Sequence, residues 1–306
     1  MRVHKPMNKM RFPFSICVIS VMLVLTFPPA RPTLPLSGLA HAFEVKGLRT
    51  PESFIVDPST GAYFMSNING KPTQKDNNGF ITKLDKTGKI IKLKFVEGGK
   101  KGVTLHAPKG LAVIDSILYA TDIDFVRGFD KETGEPVYDL DFTEYGSAFL
   151  NDLTHDSEGN LYATDMLAQM ILKIETRNGN KASVLVKDAR LNGPNGIVVN
   201  PQTGNLIVVT WDTGSILEVD PAGQIRVLLD SQGLKNLDGV DLDEAGNLYT
   251  SSFTDGRIYK ISPDFKKVKL FKEGLTSPAD INMDRANHLL LIPFFNENKA
   301  RTEKTR

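Results

Sequence analysis

Short apolar runs, each closed by Gly, Asp, Asn or Pro, follow one another from Phe43 almost to the C-terminus. Leu161-Tyr162-Ala163-Thr164 and Leu248-Tyr249-Thr250-Ser251 have strand length, and Gly256-Arg257-Ile258-Tyr259-Lys260-Ile261 alternates polar with apolar positions. Turn clusters such as Asp156-Ser157-Glu158-Gly159-Asn160 and Asp243-Glu244-Ala245-Gly246-Asn247 separate the runs. Strand-length runs bounded in this way signal β-meanders. No segment sustains a 3.6-residue apolar period, so helices are expected to be minor.

One phrase recurs six times, as Pro51-Glu52-Ser53-Phe54, Pro108-Lys109-Gly110-Leu111, Leu150-Asn151-Asp152-Leu153, Pro194-Asn195-Gly196-Ile197, Leu237-Asp238-Gly239-Val240 and Pro278-Ala279-Asp280-Ile281. Its second positions lie 57, 42, 44, 43 and 41 residues apart. A period near 40–45 with strand content is the mark of a propeller. The expectation is an all-β, six-bladed β-propeller with four-stranded blades over residues 43–302, followed by a tail at 303–306. The sixth repeat has room for a third strand at most. Phe43-Glu44-Val45-Lys46-Gly47-Leu48 resembles Leu270-Phe271-Lys272-Glu273-Gly274-Leu275, the end of the fifth repeat. The N-terminal segment is therefore expected to complete the last blade and close the ring, which removes open sheet edges.

Composition adds the compartment. Residues 1–42 carry Arg2, Lys5, Lys9 and Arg11, then an apolar run from Phe12 to Phe27, then Ala40-His41-Ala42. This is the layout of a secretory signal peptide cleaved after Ala42, with Ala30 as a second cleavage position and a membrane anchor as the alternative. Cys17, the only cysteine, lies inside the leader, so the mature protein is expected to be thiol-free. Export to a bacterial periplasm or to the medium fits a large core that needs no disulfides. Without the leader the chain holds 32 basic and 36 acidic residues, a net charge of about −4. No clustered basic face points to nucleic acid. A small-molecule substrate is the expected partner, with no membrane contact after cleavage; no feature specifies an oligomeric state.

The phrase opens the innermost strand of each blade, so six strand starts surround the axis at one end. Small residues at the third position (Ser53, Gly110, Gly196, Gly239) suit crowding there. The second position varies: Glu52, Lys109, Asn151, Asn195 and Asp238 face the centre. Two carboxylates and two carboxamides form an all-oxygen set suited to Ca²⁺, with Mg²⁺ or Mn²⁺ as alternatives. Asn and Asp also cap strand starts and turns without binding anything. The second strand returns to the same end, where Asn67, Asp122, Asp165, Trp211, Asp212 and Phe253 are expected to rim the mouth, with Asn67, Asp122, Asp165 and Trp211 contacting substrate. His106, His155 and His288 show no metal-ligand spacing, and the Ser and Thr residues before the rim make no Gly-x-Ser-x-Gly motif.

At these residues the chain resembles the regucalcin/gluconolactonase family of six-bladed propellers. The matching pieces are Pro51-Glu52-Ser53, Leu150-Asn151-Asp152 with Asp156-Ser157-Glu158-Gly159, Pro194-Asn195-Gly196-Ile197 and Leu237-Asp238-Gly239. The resemblance implies one divalent cation at the top of the channel, Ca²⁺ first and Mn²⁺, Zn²⁺ or Mg²⁺ as alternatives. It also implies hydrolysis of a sugar lactone or related small ester. It places metal ligands at Glu52, Asn195 and Asp238, with Asp238 also managing the attacking water, and at Asn151 a metal ligand or substrate contact. Lys109 departs from the pattern. Its ammonium either points outward to an anionic substrate group or pairs with Glu52 or Asp238 and replaces the metal. The connector from Asn69 to Gly79 is read as a solvated loop, with a lid over the mouth as the alternative. The competing function is a non-catalytic propeller, similar to NHL-repeat modules, binding a peptide, glycan or protein, because the repeated phrases describe blade construction equally well.

Overall fold

The computed structural model describes Met1 and residues 41–306. The expected leader at 1–42 lies outside the described residues except for Met1, His41 and Ala42. Six antiparallel sheets of four strands follow each other around an axis, a six-bladed β-propeller. Blade 1 comprises Pro51–Val56, Tyr63–Asn67, Phe80–Leu84 and Ile90–Glu97. Blade 2 comprises Pro108–Ile114, Ile117–Asp122, Phe125–Asp130 and Pro136–Asp141. Blade 3 is built from Leu150–His155, Asn160–Asp165, Met170–Glu175 and Lys181–Lys187. Blade 4 uses Pro194–Val199, Leu206–Thr210, Ile216–Val219 and Ile225–Leu229. Blade 5 uses Leu237–Leu242, Leu248–Ser252, Arg257–Ile261 and Val268–Lys272.

Blade 6 joins the two ends of the domain. Its strands are Asn282–Asp284, Leu289–Phe294 and Lys299–Lys304, and Glu44–Lys46 supplies the outermost one. Glu44, Val45 and Lys46 pair with Arg301, Ala300 and Lys299, as the sequence similarity implied. The phrase of this blade precedes its short inner strand instead of opening it. Asp280 there donates its backbone N–H to the Glu52 carbonyl of blade 1, so a backbone bond crosses the closing seam.

The apolar residues sort into one cluster per seam between neighbouring blades. Ile55, Phe64 and Phe95 of blade 1 meet Leu111, Leu118 and Phe129 of blade 2, and each further seam repeats the arrangement. Sheets buried on both faces explain why inner strands read as continuous apolar runs. At the axis the blades come close enough to exclude a Cβ. One built on Gly239 would lie 2.0 Å from the Ile281 nitrogen, and one on Gly196 would lie 2.3 Å from the Asp238 carbonyl oxygen.

Candidate functional site

In each of the first five blades the pairing of the inner hairpin slips within the phrase, between Pro51 and Phe54, Pro108 and Leu111, Leu150 and Leu153, Pro194 and Ile197, and Leu237 and Val240. A bulge of this kind breaks strict alternation and re-aims side chains. It frees the second and third phrase positions to serve the channel while the fourth returns to the seam core.

The five second-position residues are nearly sealed from solvent, with Glu52, Asn151 and Asp238 5% exposed, Asn195 2% and Lys109 1%. Glu52 Oε2, Asn151 Oδ1 and Asp238 Oδ1 are buried oxygens without a hydrogen-bond partner. Leaving such atoms unsatisfied costs about 1–3 kcal/mol each, more for a charge. Burial, with the nearby Asp280 and Asp238 carboxyls, pushes Glu52 well above the ordinary carboxylate range, and Lys109 opposes that rise. Burial and Asp280 push Asp238 upward likewise.

Three blades thus present unsatisfied oxygen at one end of the channel, and the donor chemistry fits a hard divalent cation. Glu52, Asn151, Asn195 and Asp238 would hold it. Among the described residues no three His, Cys, Asp or Glu side chains gather as a metal cluster. The fit therefore rests on carboxamides as much as on carboxylates.

Among the described residues Lys109 makes no ion pair with Glu52 or Asp238. Its ammonium donates to the Ala107 carbonyl at 3.2 Å and lies 4.4 Å from the Phe149 ring centroid. Burial lowers its pKa to about 8 against the opposing pull of Glu52, Asp122, Asp165 and Asp124. The ammonium is spent on a carbonyl and an aromatic face, and Glu52 and Asp238 each keep a free oxygen.

The third position holds two carboxylates that sequence reasoning passed over. Asp152 accepts the backbone N–H groups of Leu153 at 2.6 Å and of Ile197, in the next blade, at 2.7 Å. Asp280 accepts from Asn282 Nδ2 at 3.3 Å and also interacts directly with Asp152. Burial pushes Asp280 up to about 7, and burial together with Asp280 raises Asp152. Both stand where other blades have Ser or Gly, and that exchange of a small residue for an acid was the available signal.

The expected rim divides into two kinds of residue. Asn67, Asp122 and Asp165 are fully buried and bonded to the backbone just before the phrase of their own blades. Asn67 Oδ1 accepts the Arg49 N–H. Asp122 accepts the N–H groups of His106 and Ala107 and the Arg127 guanidinium at 2.7 Å. Asp165 accepts from Ala148, Phe149, Ala168 and the Ser147 hydroxyl. These three hold the connectors leading into their blades. Trp211 and Phe253 sit one residue beyond the second strand, and a shift of one residue reverses the face. Their rings are 5.5 Å apart, and Phe253 lies 5.5 Å from Phe295, the equivalent residue of blade 6.

The Ser and Thr residues before the rim are stitches between blades. Thr164 Oγ1 accepts the Asp152 N–H and donates to the Asn195 carbonyl of the next blade at 2.7 Å. Ser251 accepts the Gly239 N–H and donates to the Ala279 carbonyl, and Thr121 donates to the Asn151 carbonyl. These bonds fix the carbonyls of the second positions. His106 accepts the Asn77 N–H, and Lys75 pairs with Asp124, so the connector of blade 1 is pinned to blade 2. His155 lies exposed at the opposite end, with Nδ1 3.0 Å from the Asp156 carbonyl, and His288 pairs with Glu244.

Comparison with protein families matches residues 86–281 to the SMP-30/Gluconolactonase/LRE-like region. The chain belongs to that family. The matched span includes Lys109, Asn151, Asn195 and Asp238 and begins after Glu52. No curated protein sequence matches the chain. Among solved structures, virginiamycin B lyase from Staphylococcus aureus is similar with a TM-score of 0.61 at 14% identity, covering 86% of this chain and 98% of that one. A catalytically inactive form of that lyase with Quinupristin gives 0.60 at the same 14% identity, covering 86% and 98%. A protein of unknown function from Bacteroides thetaiotaomicron gives 0.65 at 13% identity, covering 86% and 72%. At such identities the likeness concerns the fold.

Proposed function

We propose that this SMP-30/gluconolactonase-like propeller is an exported hydrolase that opens a lactone or related small ester with a divalent cation, Ca²⁺ first, at the channel end. The carrying observation is the set of buried, unpartnered oxygens of Glu52, Asn151 and Asp238, contributed by three separate blades. A bound cation supplies Lewis-acid polarisation of the ester carbonyl and charge to offset the carboxylates. Asp238, ionised in the loaded site, accepts a proton from the attacking water as its oxygen bonds to the carbonyl carbon. The ring C–O bond then breaks, and Asp238 returns the proton to the leaving oxygen, giving a hydroxy acid. Asn151 and Asn195 hold their positions through carbonyls bonded to Thr121 and Thr164. Lys109 favours the ionised form of Glu52 from its place beside Phe149.

The test is metal analysis of the purified mature chain, melting temperature with and without each divalent cation, and lactone hydrolysis by Asp238→Asn and Glu52→Gln. Bound cation, a melting point that rises with it, and loss of both in the variants support the proposal. A chain that takes up no divalent cation and shows no thermal response sinks it. Mass spectrometry of the exported product, expected to begin at Phe43, checks the compartment.

A second reading is favoured by the near closure of the site. With every candidate ligand no more than 5% exposed, the cation would act as a staple between blades of a non-catalytic binding propeller. Cation-dependent melting without hydrolysis of any lactone or ester would select it.

A further inference from the structure

Position for position, each blade places one large apolar residue immediately after its second strand: Ile68, Ile123, Met166, Trp211, Phe253 and Phe295. In five blades its N–H donates to the carbonyl just before the phrase, as in Ile68 to Thr50, Met166 to Phe149, Trp211 to Gly193, Phe253 to Asn236 and Phe295 to Ser277. In blade 2 the Ile123 carbonyl instead accepts the Leu150 N–H of the next blade. All six therefore lie at the end of the inner hairpins that carries the oxygen cluster. Five of them also contact one another: Trp211 packs at a tilt against Phe253, Phe253 meets Phe295 edge-on, and Phe295 packs against a cluster of Ile68, Ala107 and Ile123. Ile123 holds φ at +61°, a conformation unfavourable for a β-branched residue, and still joins that cluster. Met166 Sδ lies 3.9 Å from Asn151 Nδ2, which sets the collar directly against the candidate ligands.

Four of the polar side chains beside the collar are committed elsewhere. Asn67, Asp122 and Asp165, the side chains suited to reading hydroxyl groups, bond to their own connectors. Asn236 is likewise engaged, donating to the Trp211 carbonyl and accepting from Thr254. A polyhydroxylated ring entering the collar would leave hydroxyls unpaired, and such mismatches are rejected strongly. An alkyl or aryl substituent would find matching surface on the half-buried Met166, Trp211, Phe253 and Phe295.

We infer that the collar is a substrate subsite for an apolar side chain, so that the enzyme takes an alkyl- or aryl-substituted lactone or ester in preference to a sugar lactone. This rests on the hydrolase reading for its chemistry but not for its binding. Each methylene buried against the collar should raise kcat/KM by about fourfold. The five carbons of the pentyl chain of δ-decalactone should therefore give roughly 10³ over unsubstituted δ-valerolactone.

The mature, cation-supplied chain is assayed with δ-decalactone, δ-valerolactone and glucono-δ-lactone. In parallel, emission of Trp211, the only tryptophan, is titrated with the hydrolysis-resistant 6-pentylpiperidin-2-one, with unsubstituted piperidin-2-one and gluconate as controls. Expected are the order decalactone, valerolactone, gluconolactone and a saturable Trp211 response to the pentyl lactam alone. Phe253→Ser should bring the decalactone-to-valerolactone ratio close to one. Hydrolysis with no gain from the alkyl chain, or with gluconolactone preferred, overturns the collar and leaves the hydrolase reading standing. A Trp211 response to the pentyl lactam in a chain that hydrolyses nothing supports the collar and removes the hydrolase. Unchanged emission with all ligands overturns it.

Discussion

The two ends of the inner hairpins use carboxylates in opposite ways. At the turn end, Asp57 accepts from Ser59 N–H and hydroxyl, from Thr60 Oγ1 and from the Lys131 ammonium at 2.9 Å. Asp156 accepts from Glu158, Asn160 and the Tyr162 hydroxyl, and Asp243 from Ala245, Asn247 and Lys260. Partial burial raises these carboxyls, but the hydrogen bonds outweigh it and the net pKa lies below the ordinary value. At the mouth end Asp122 and Asp165 are capped in the same way, but the acids of the repeated phrase are more deeply buried with fewer donors, and Glu52, Asp238, Asp152 and Asp280 are all raised. One set of acids is consumed in building turns. The other is held in reserve, at a cost a bound cation would offset.

The sharpest way to break this contrast is to remove one acid from each end. Asp238→Asn should lower kcat for lactone opening by about 10²–10⁴-fold, the usual contribution of a general base. It should also erase the cation-dependent rise in melting temperature. Asp156→Ala should leave kcat unchanged and lower stability by about 1–3 kcal/mol, because the N–H groups of its turn lose their acceptor. Lactonase kinetics and urea denaturation on the same preparations give both readings. Equal losses of activity from the two variants would show that the ends do not differ in kind.

A second contrast concerns packing at the axis. The mouth end leaves buried oxygens unpaired, whereas the inner strands one residue deeper have no room for one more carbon. Gly239→Ala would drive a Cβ into the Ile281 nitrogen at 2.0 Å and the Asp280 Cα at 2.6 Å, both backbone atoms that cannot swing aside. Separating blades 5 and 6 at that point should cost about 3 kcal/mol. A denaturation midpoint within error of the parent chain would show that the axis has slack.

The blades, their order and the ring closure could be read from the sequence because repeat length and apolar runs report them directly. The second-position residues could be read for a related reason, since Glu52, Asn151, Asn195 and Asp238 vary within a constant frame. What could not be read depends on one-residue geometry. A bulge inside the phrase brings Asp152 to the channel, and Asp280 stands there in a phrase that lies ahead of its strand; neither feature leaves a compositional trace. Strand parity decides that Asn67, Asp122 and Asp165 bond to their own connectors while Trp211 and Phe253 pack against each other. Whether a buried aspartate is capped, as Asp57 is, or left open, as Asp238 is, depends on donors brought from other parts of the chain.

The reserve of protonated acid gives the mouth a pH signature opposite to that of the turns. Asp280 has an ordinary value of 3.8 and is pushed up to about 7 in the fold. A group raised in the folded state stabilises fully below its unfolded pKa, and that stabilisation is lost as pH rises through the folded value. Between about pH 4 and 7 the native chain binds the extra proton, so cation-free stability should fall by about 1.4 kcal/mol per pH unit per proton held. Melting temperatures in EDTA should therefore decline across that window, and Asp280→Asn should flatten the decline. Added Ca²⁺ should recover more at the alkaline end, where the ligands are ionised. A cation-free melting point that climbs steadily from pH 4 to 7 would contradict the reserve of protonated acid.

The smallest expected effect probes the stitching that links the two regions. Thr164 Oγ1 joins the Asp152 N–H of blade 3 to the Asn195 carbonyl of blade 4, both inside the phrase. Thr164→Val keeps shape and burial but removes both bonds, leaving a buried N–H and a buried carbonyl to find other partners. Stability should fall by about 1–2 kcal/mol. Because the Asn195 carbonyl then loses its tether while its side-chain amide remains, cation affinity should weaken by about 10-fold, as for other residues that position ligands without touching the metal. The corresponding change at the turn end, Thr60→Val, removes one of several bonds to Asp57 and should leave cation affinity untouched. Calcium titration monitored by melting temperature separates the two variants. Equal cation affinity in both would mean that the stitch holds the blades together without holding the site.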